Sequence, residues 1–205
     1  MPRPITYYFS LLSPWAYIGH RLFMDMAARH DLAVGYKPVV LTEVFADTGG
    51  LPLLKRHPVR QRYRMLELQR WRDRRGLDFT LKPAFWPFDV KLADRFVIAA
   101  TVKGFDPGVF LASAFAAVWE GQRNLADEGT LLDIAAAARL PAAELLALAR
   151  AETTAAIYAQ NTSEAIAAGA FGSPCFVLDG EVFWGQDRLE LLDDALASGR
   201  AAYQP

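Results

Sequence analysis

The stretch Gly169-Ala-Phe-Gly-Ser-Pro-Cys-Phe-Val-Leu-Asp-Gly-Glu-Val-Phe-Trp-Gly-Gln-Asp-Arg-Leu-Glu-Leu-Leu192 decides how this chain folds. Phe176-Val-Leu178 and Glu181-Val-Phe183 are β-prone runs. Asp179-Gly180 between them readily supplies the two positive φ values of a type I′ turn, so the segment reads as a tight hairpin. Pro174 has no N–H to give a ladder and belongs at the entry of the first of these strands. Trp184-Gly-Gln-Asp187 follows, and then a helical pattern from Arg188 to about Leu196. Asp187 is placed as N-cap or first-turn residue, where its carboxylate meets free N–H groups and the positive end of the helix dipole.

The other end of the sequence completes the pattern. Ile5 to Ser10 is a β-prone run, Ala16 to about His30 is helical with Ile18, Leu22, Phe23 and Met26 on one face, and Asp31 to Leu41 contains a second strand. Pro14 suits the first turn of that helix, which puts Ser13 at its N-terminus. Strand–helix–strand of this length is a βαβ unit with a parallel pair. After Leu41 the loop signals Thr48-Gly-Gly-Leu-Pro and Arg56-His-Pro lead into a basic amphipathic helix, Arg60 to Arg75, which reads as a solvated charged face. An aromatic, Pro-rich loop around Phe85-Trp-Pro-Phe88 follows. Further helices are expected at Leu92–Val102, Val109–Gly121, Leu131–Ala138, Ala142–Arg150 and Thr153–Ala168. Strands thus cluster at the two ends and helices fill the middle. The fold class expected is α/β, with residues 1–46 and 163–205 in one layered domain and 47–162 as a helical insertion.

Bulk composition excludes several classes of function. With 22 basic against 23 acidic residues the net charge is -1, which gives no attraction to nucleic acid or an anionic membrane. No apolar run is long enough to span a bilayer, and Met1-Pro-Arg-Pro-Ile-Thr-Tyr7 has no signal-peptide core, so a cytoplasmic chain is expected. The single cysteine, Cys175, forms neither an internal disulfide nor a C-x-x-C pair, and the three histidines, His20, His30 and His57, have no metal-ligand spacing.

Ser13 is the chemical candidate of the first loop. A hydroxyl there is first of all a helix N-cap. As a nucleophile it would need a general base, and the sequence has no G-x-S-x-G elbow and no marked histidine partner. As a donor, its O–H and the helix dipole behind it suit a bound thiolate. The thiol would then have to come from a cofactor.

Phe9-Ser-Leu-Leu-Ser-Pro-Trp-Ala-Tyr17, Gly169-Ala-Phe-Gly-Ser-Pro174, Phe183-Trp-Gly-Gln-Asp-Arg-Leu189 and Leu68-Gln-Arg-Trp71 together resemble the 2-hydroxychromene-2-carboxylate isomerase family. These enzymes are related to kappa-class glutathione transferases, in the DsbA-type branch of the thioredoxin superfamily. The resemblance covers nearly the whole chain and implies a thioredoxin-like fold with a cis Pro174.

It also implies that glutathione binds between the two loops. Ser13 would donate to its sulfur, and the backbone of Ser173 before Pro174 would pair with its cysteinyl main chain. Gln186, Asp187 and Arg188 would hold the γ-glutamyl end. Where relatives carry Asn-Lys after the second strand, this chain has Gly49-Gly50, and the basic residue for the glycine carboxylate falls near His57, beside Lys55 and Arg56. Trp15, Tyr17 and Trp86, with Phe85 and Phe88, would form a slot for an aryl substrate, with Lys91 or Arg95 for a carboxylate. Cys175 is either a small buried hydrophobe or a thiol within reach of glutathione. The activity implied is glutathione-dependent interconversion of 2-hydroxychromene-2-carboxylate and trans-o-hydroxybenzylidenepyruvate, in a homodimer. A kappa-type transferase or peroxidase, and a non-catalytic glutathione-binding module, remain open beside it.

Overall fold

A computed structural model describes residues 2–204. Its centre is a four-stranded sheet in the order β2-β1-β3-β4, built from β1 (Arg3–Phe9), β2 (Leu32–Pro38), β3 (Cys175–Leu178) and β4 (Glu181–Trp184). β1 and β2 run parallel, joined by helix α1 (Pro14–Arg29). β3 lies antiparallel to β1, with Tyr7 opposite Phe176, and β3 and β4 form the hairpin. Asp179 and Gly180 at its tip have φ of 50° and 87°, as a type I′ turn requires. The Ser173–Pro174 peptide is cis.

Between the two strand pairs the chain forms α2 (Leu41–Thr48), a short 3₁₀ turn, α3 (Pro58–Arg75), α4 (Lys91–Val102), α5 (Gly108–Trp119), α6 (Glu128–Ala137), α7 (Ala142–Arg150) and α8 (Glu152–Ala167). A second 3₁₀ turn, Gln186–Arg188, precedes the last helix, α9 (Leu189–Ser198). None of these helices is long and apolar enough to cross a membrane. Alternation along the strands assigns the two sheet faces. Ile5, Tyr7, Phe9 and Phe176 point into the larger core with Phe23 of α1, Leu192 of α9 and the helices of the insertion. Tyr8 and Cys175 point the other way, where Val44 of α2 and Ala165 of α8 cover them.

Two departures from the sequence reading concern the site. Helix α2 occupies a stretch to which the sequence reading assigned no element: Leu41, Val44 and Phe45 recur at helical spacing, and Gly49 in the left-handed region (φ 78°) ends the helix. Both expected domain boundaries fall inside helices, at 46/47 in α2 and at 162/163 in α8. The second departure is Asp187. It lies in the 3₁₀ turn rather than capping α9, and its carboxylate meets Arg188 Nη1 at 2.9 Å.

That turn seats itself on α1 through a glycine. A Cβ on Gly19 would stand 2.6 Å from Gln186 Cβ and 3.3 Å from Gln186 Cα. Gly19→Ala is therefore expected to destabilise the protein. Helix propensity favours alanine by about 1 kcal/mol, but overpacking against backbone costs about 1–3 kcal/mol. A lower urea midpoint is the expected outcome; an unchanged or higher one would mean that the turn yields freely.

Candidate active site

Ser13 sits where strand β1 hands over to α1, extended (φ −87°, ψ 117°) and buried. Its Oγ accepts the N–H of Ala16 at 3.2 Å, so it is a helix N-cap. Its O–H also donates to the carbonyl of Ser173 at 3.0 Å, 160 residues away in sequence. Ser173 reciprocates: its Oγ accepts the backbone N–H of Ser10 at 3.1 Å. The two loops singled out in the sequence are thus stitched together by two buried hydrogen bonds. On the far side of Pro174, its carbonyl accepts Gly185 N–H at 2.9 Å, which ties the loop to the turn carrying Asp187.

Beneath the first loop lies a residue that the sequence did not mark. Asp94 of α4 is fully buried, and its carboxylate accepts Ser10 Oγ at 2.9 Å, Leu11 N–H at 2.9 Å and Tyr158 Oη at 2.7 Å. Burial pushes its pKa up to about 7, against the opposing pull of those three donors. An aspartate in an apolar helix pattern carries one weak signal, a charged residue on a core-facing position.

Above the loops a cavity of about 600 Å³ opens between α3 and the segment from Ser173 to Arg188. That volume suits a small-molecule ligand. Trp15, Tyr63, Trp71 and Trp184 supply aromatic wall, and Ser173, Gln186, Asp187 and Arg188 all reach it. The α3 side of it carries Arg60 and Arg64, with Arg56 just before the helix, so part of the largely solvated basic face lines the cavity. Arg75, at the C-terminal end of α3, donates to the side chain and carbonyl oxygens of Gln186 at 3.2 and 3.3 Å and ties that helix to the turn.

Other expected residues stand elsewhere. Tyr17 is buried in the core, stacked on Trp119, and its hydroxyl donates to Glu120 at 2.8 Å, so it offers no wall to the cavity. Trp86 uses its indole N–H to hold the Leu12 carbonyl at 2.9 Å and stands behind Arg64, whose guanidinium lies 5.2 Å from its ring centre. Phe85 is exposed and Phe88 packs on the core. His57 caps α3, with Nδ1 accepting Val59 N–H at 3.3 Å, and its neighbour Arg56 reaches the cavity instead. Lys91 is exposed; Arg95 is partly buried, its Nε enclosed without a partner. Cys175 is fully buried on the opposite sheet face, and burial pushes its thiol up to about 12. It packs as a small hydrophobe. Among the described residues no group of three His, Cys, Asp or Glu side chains could hold a metal ion.

A βαβ unit, a cis-proline hairpin and a helical insertion between them agree with a whole-chain match: the model of the DSBA-like thioredoxin domain fits residues 4–197. The chain belongs to the DSBA-like thioredoxin domain family. Within that family, a 2-hydroxychromene-2-carboxylate isomerase from Sphingobium xenophagum is 26% identical over 198 residues, covering 96% of this chain and 99% of that protein. The solved structure of a 2-hydroxychromene-2-carboxylate isomerase matches with a TM-score of 0.80 at 24% identity, covering 95% of each chain. The cytosolic disulfide reductase DsbM from Pseudomonas aeruginosa, solved with GSH, matches at 0.68 and 21% identity, covering 95% of this chain and 96% of that one. The family named from the motifs is the one that the first two of these relatives carry by name.

Asp94 gives a pH test with a definite sign. Its native pKa, about 7, lies above the ordinary 3.8, so the native state holds a proton that the unfolded state releases. Stability from this group therefore falls as pH rises between those values and is flat above. Asn at this position keeps the neutral shape: it can donate to Tyr158 Oη, whose own hydroxyl already lies 3.2 Å from the Val39 carbonyl. Asp94→Asn is expected to gain on the wild type by roughly 2 kcal/mol between pH 5 and pH 8. Paired melts at both pH values check this, and a difference that shrinks or reverses would mean an ionised, well-compensated Asp94.

Proposed function

We propose that this protein is a glutathione-dependent isomerase acting on the 2-hydroxychromene-2-carboxylate / trans-o-hydroxybenzylidenepyruvate type of substrate. The observation that carries the reading is the facing of the Ser13 hydroxyl and the Ser173 carbonyl, 3.0 Å apart, beside the cavity, in a chain whose one thiol is buried elsewhere. The isomerase names of its relatives, and a DsbM structure with GSH, support the choice.

The residues present fit a thiol tripeptide. Its backbone N–H would take over the Ser173 carbonyl, as an added strand does, and release the Ser13 O–H toward the sulfur. Ser13 would then donate to a thiolate at the positive end of α1, a helix of 16 residues. Asp187 and Arg188, beside the buried Gln186, offer a carboxylate and a guanidinium to the γ-glutamyl ammonium and carboxylate. Arg56 takes the glycine end in place of His57, whose ring is engaged in its cap. Bound glutathione would supply the nucleophile that adds reversibly to the alkene conjugated with the ketone, making that bond single long enough to rotate. The chain's own contribution is to hold the sulfur charged and to keep Trp15 and the α3 face against the aryl group. No oxidant and no net proton are needed.

Turnover of trans-o-hydroxybenzylidenepyruvate should require glutathione. In Ser13→Ala, loss of one donor to a charged sulfur removes about 1.5–3 kcal/mol, or roughly one to two decades in rate. The melt should drop by the ~1 kcal/mol of a lost cap and by about 1 kcal/mol more for the lost hydrogen bond to the Ser173 carbonyl. Isomerisation at equal rate with and without glutathione would refute the reading. Consumption of glutathione into a stable adduct would instead make the protein a transferase.

A further inference from the structure

Arg60 and Arg64, one turn apart on α3, and Arg56, just before that helix begins, form one stripe that lines the cavity. Nine of the seventeen arginines lie against a carboxylate of the described residues: Arg3, Arg29, Arg70, Arg72, Arg75, Arg123, Arg150, Arg188 and Arg200. Among the described residues none of the three on the stripe has a carboxylate within 4 Å. Arg56 is partly committed, its Nε donating to the Leu51 carbonyl at 2.7 Å. Arg64 is the innermost and the most enclosed. Its guanidinium rests on the Trp86 ring, and its one polar contact is a weak one, Met65 Sδ at 3.9 Å. Burial, then the charge of Arg56, push its pKa down to about 10. A half-desolvated cation with idle donors, aimed into a cavity and held in place by an aromatic face, is stabilised by an anion.

The position of Arg64 says which anion. Trp86, on which it lies, also holds the carbonyl of Leu12, the residue before Ser13. Arg64 therefore flanks the loop where the sulfur would sit, whereas Asp187 and Arg188 lie across the cavity and Arg56 one end of the stripe. We propose that Arg64, assisted by Arg60 one turn away, clamps the carboxylate of the second molecule, the one that meets the thiol, so that the cavity selects planar aromatic acids over their neutral analogues. Trp15, Tyr63 and Trp71 provide the apolar surface for the ring. The guanidinium fork matches a carboxylate with two parallel N–H bonds, which a lysine in the same place would not. That this molecule is the electrophile rests on the thiol reading above; the acid-binding assignment does not.

The test is direct binding without thiol. Benzylidenepyruvate and its methyl ester are titrated into the protein, with quenching of tryptophan fluorescence as the readout. In Arg64→Gln the affinity for the acid should fall by ~10–100-fold while that for the ester stays the same, and Arg64→Lys should lie between. Glutathione titrated into Arg64→Gln should bind as to the wild type. Unchanged affinity for the acid, or equal losses for acid and ester, would overturn the assignment. So would a matching loss for glutathione, since Arg64 would then serve the tripeptide. Should Arg64→Gln melt early, Arg60→Gln and Arg64→Lys carry the same comparison on folded protein. Acid selectivity through Arg64 in a protein that never binds glutathione would sink the proposed reaction and leave the clamp standing.

Discussion

One buried carboxylate joins the halves of this molecule at the point where the chemistry is proposed. Asp94 belongs to the helical insertion, and its partners Ser10 and Leu11 belong to the loop after β1, more than 80 residues earlier. Tyr158, its third donor, comes from α8, the helix that returns the chain to the sheet. Leaving any of these buried donors unmet would cost about 1–3 kcal/mol. The loop therefore has one satisfied arrangement. Ser10 then passes the constraint on, because its N–H holds Ser173 Oγ and so sets the distance between Ser13 and the cis-proline loop. The geometry above the sheet follows from a polar contact below it.

The same balance of burial and charge runs through the cavity. Cys175 is placed where burial keeps its thiol protonated, on the sheet face away from the opening. Cations, by contrast, are gathered at the opening: Arg60 and Arg64 on α3, with Arg56 just before it, line the cavity together with Asp187 and Arg188. A site that stocks positive charge and aromatic surface but keeps its own thiol out of reach is suited to anionic guests, one of which, in the proposed reaction, brings the sulfur. Glycines make the enclosure possible. Gly19 lets the Gln186 turn sit against α1, and a Cβ on Gly172 would meet Trp184 Nε1 at 2.3 Å, so Trp184 can close over the loop.

Much of this was legible in local sequence. Asp179-Gly180, Pro174 and Pro14 act within their own few residues, so the hairpin, the proline loop and the start of α1 read directly. Most helices did too, because their apolar positions recur with the helical period. What escaped depends on contacts between distant segments. Nothing near Asp94 states that three donors converge on it, and nothing in the composition of α3 says that its arginines face a cavity instead of water. Tyr17 and Trp15 are two residues apart on α1 and so lie on different faces; only the packing of Trp119 shows which one is interior. Helix α2 was missed because Val40 offers no side-chain cap, and the 3₁₀ turn at Asp187 because one of its contacts, Arg75 on the Gln186 oxygens, comes from another helix.

The central claim is that the meeting of Ser13, Ser173 and the α1 terminus holds a guest thiol as its anion. Glutathione labelled with carbon-13 at the cysteinyl Cβ reports that ionisation directly when its shift is followed against pH in the presence of excess wild-type protein. The account predicts a bound midpoint at least ~1 unit below the free thiol value of about 8.5. A bound midpoint equal to or above the free value would contradict it, and would reduce Ser13 to the cap of a helix.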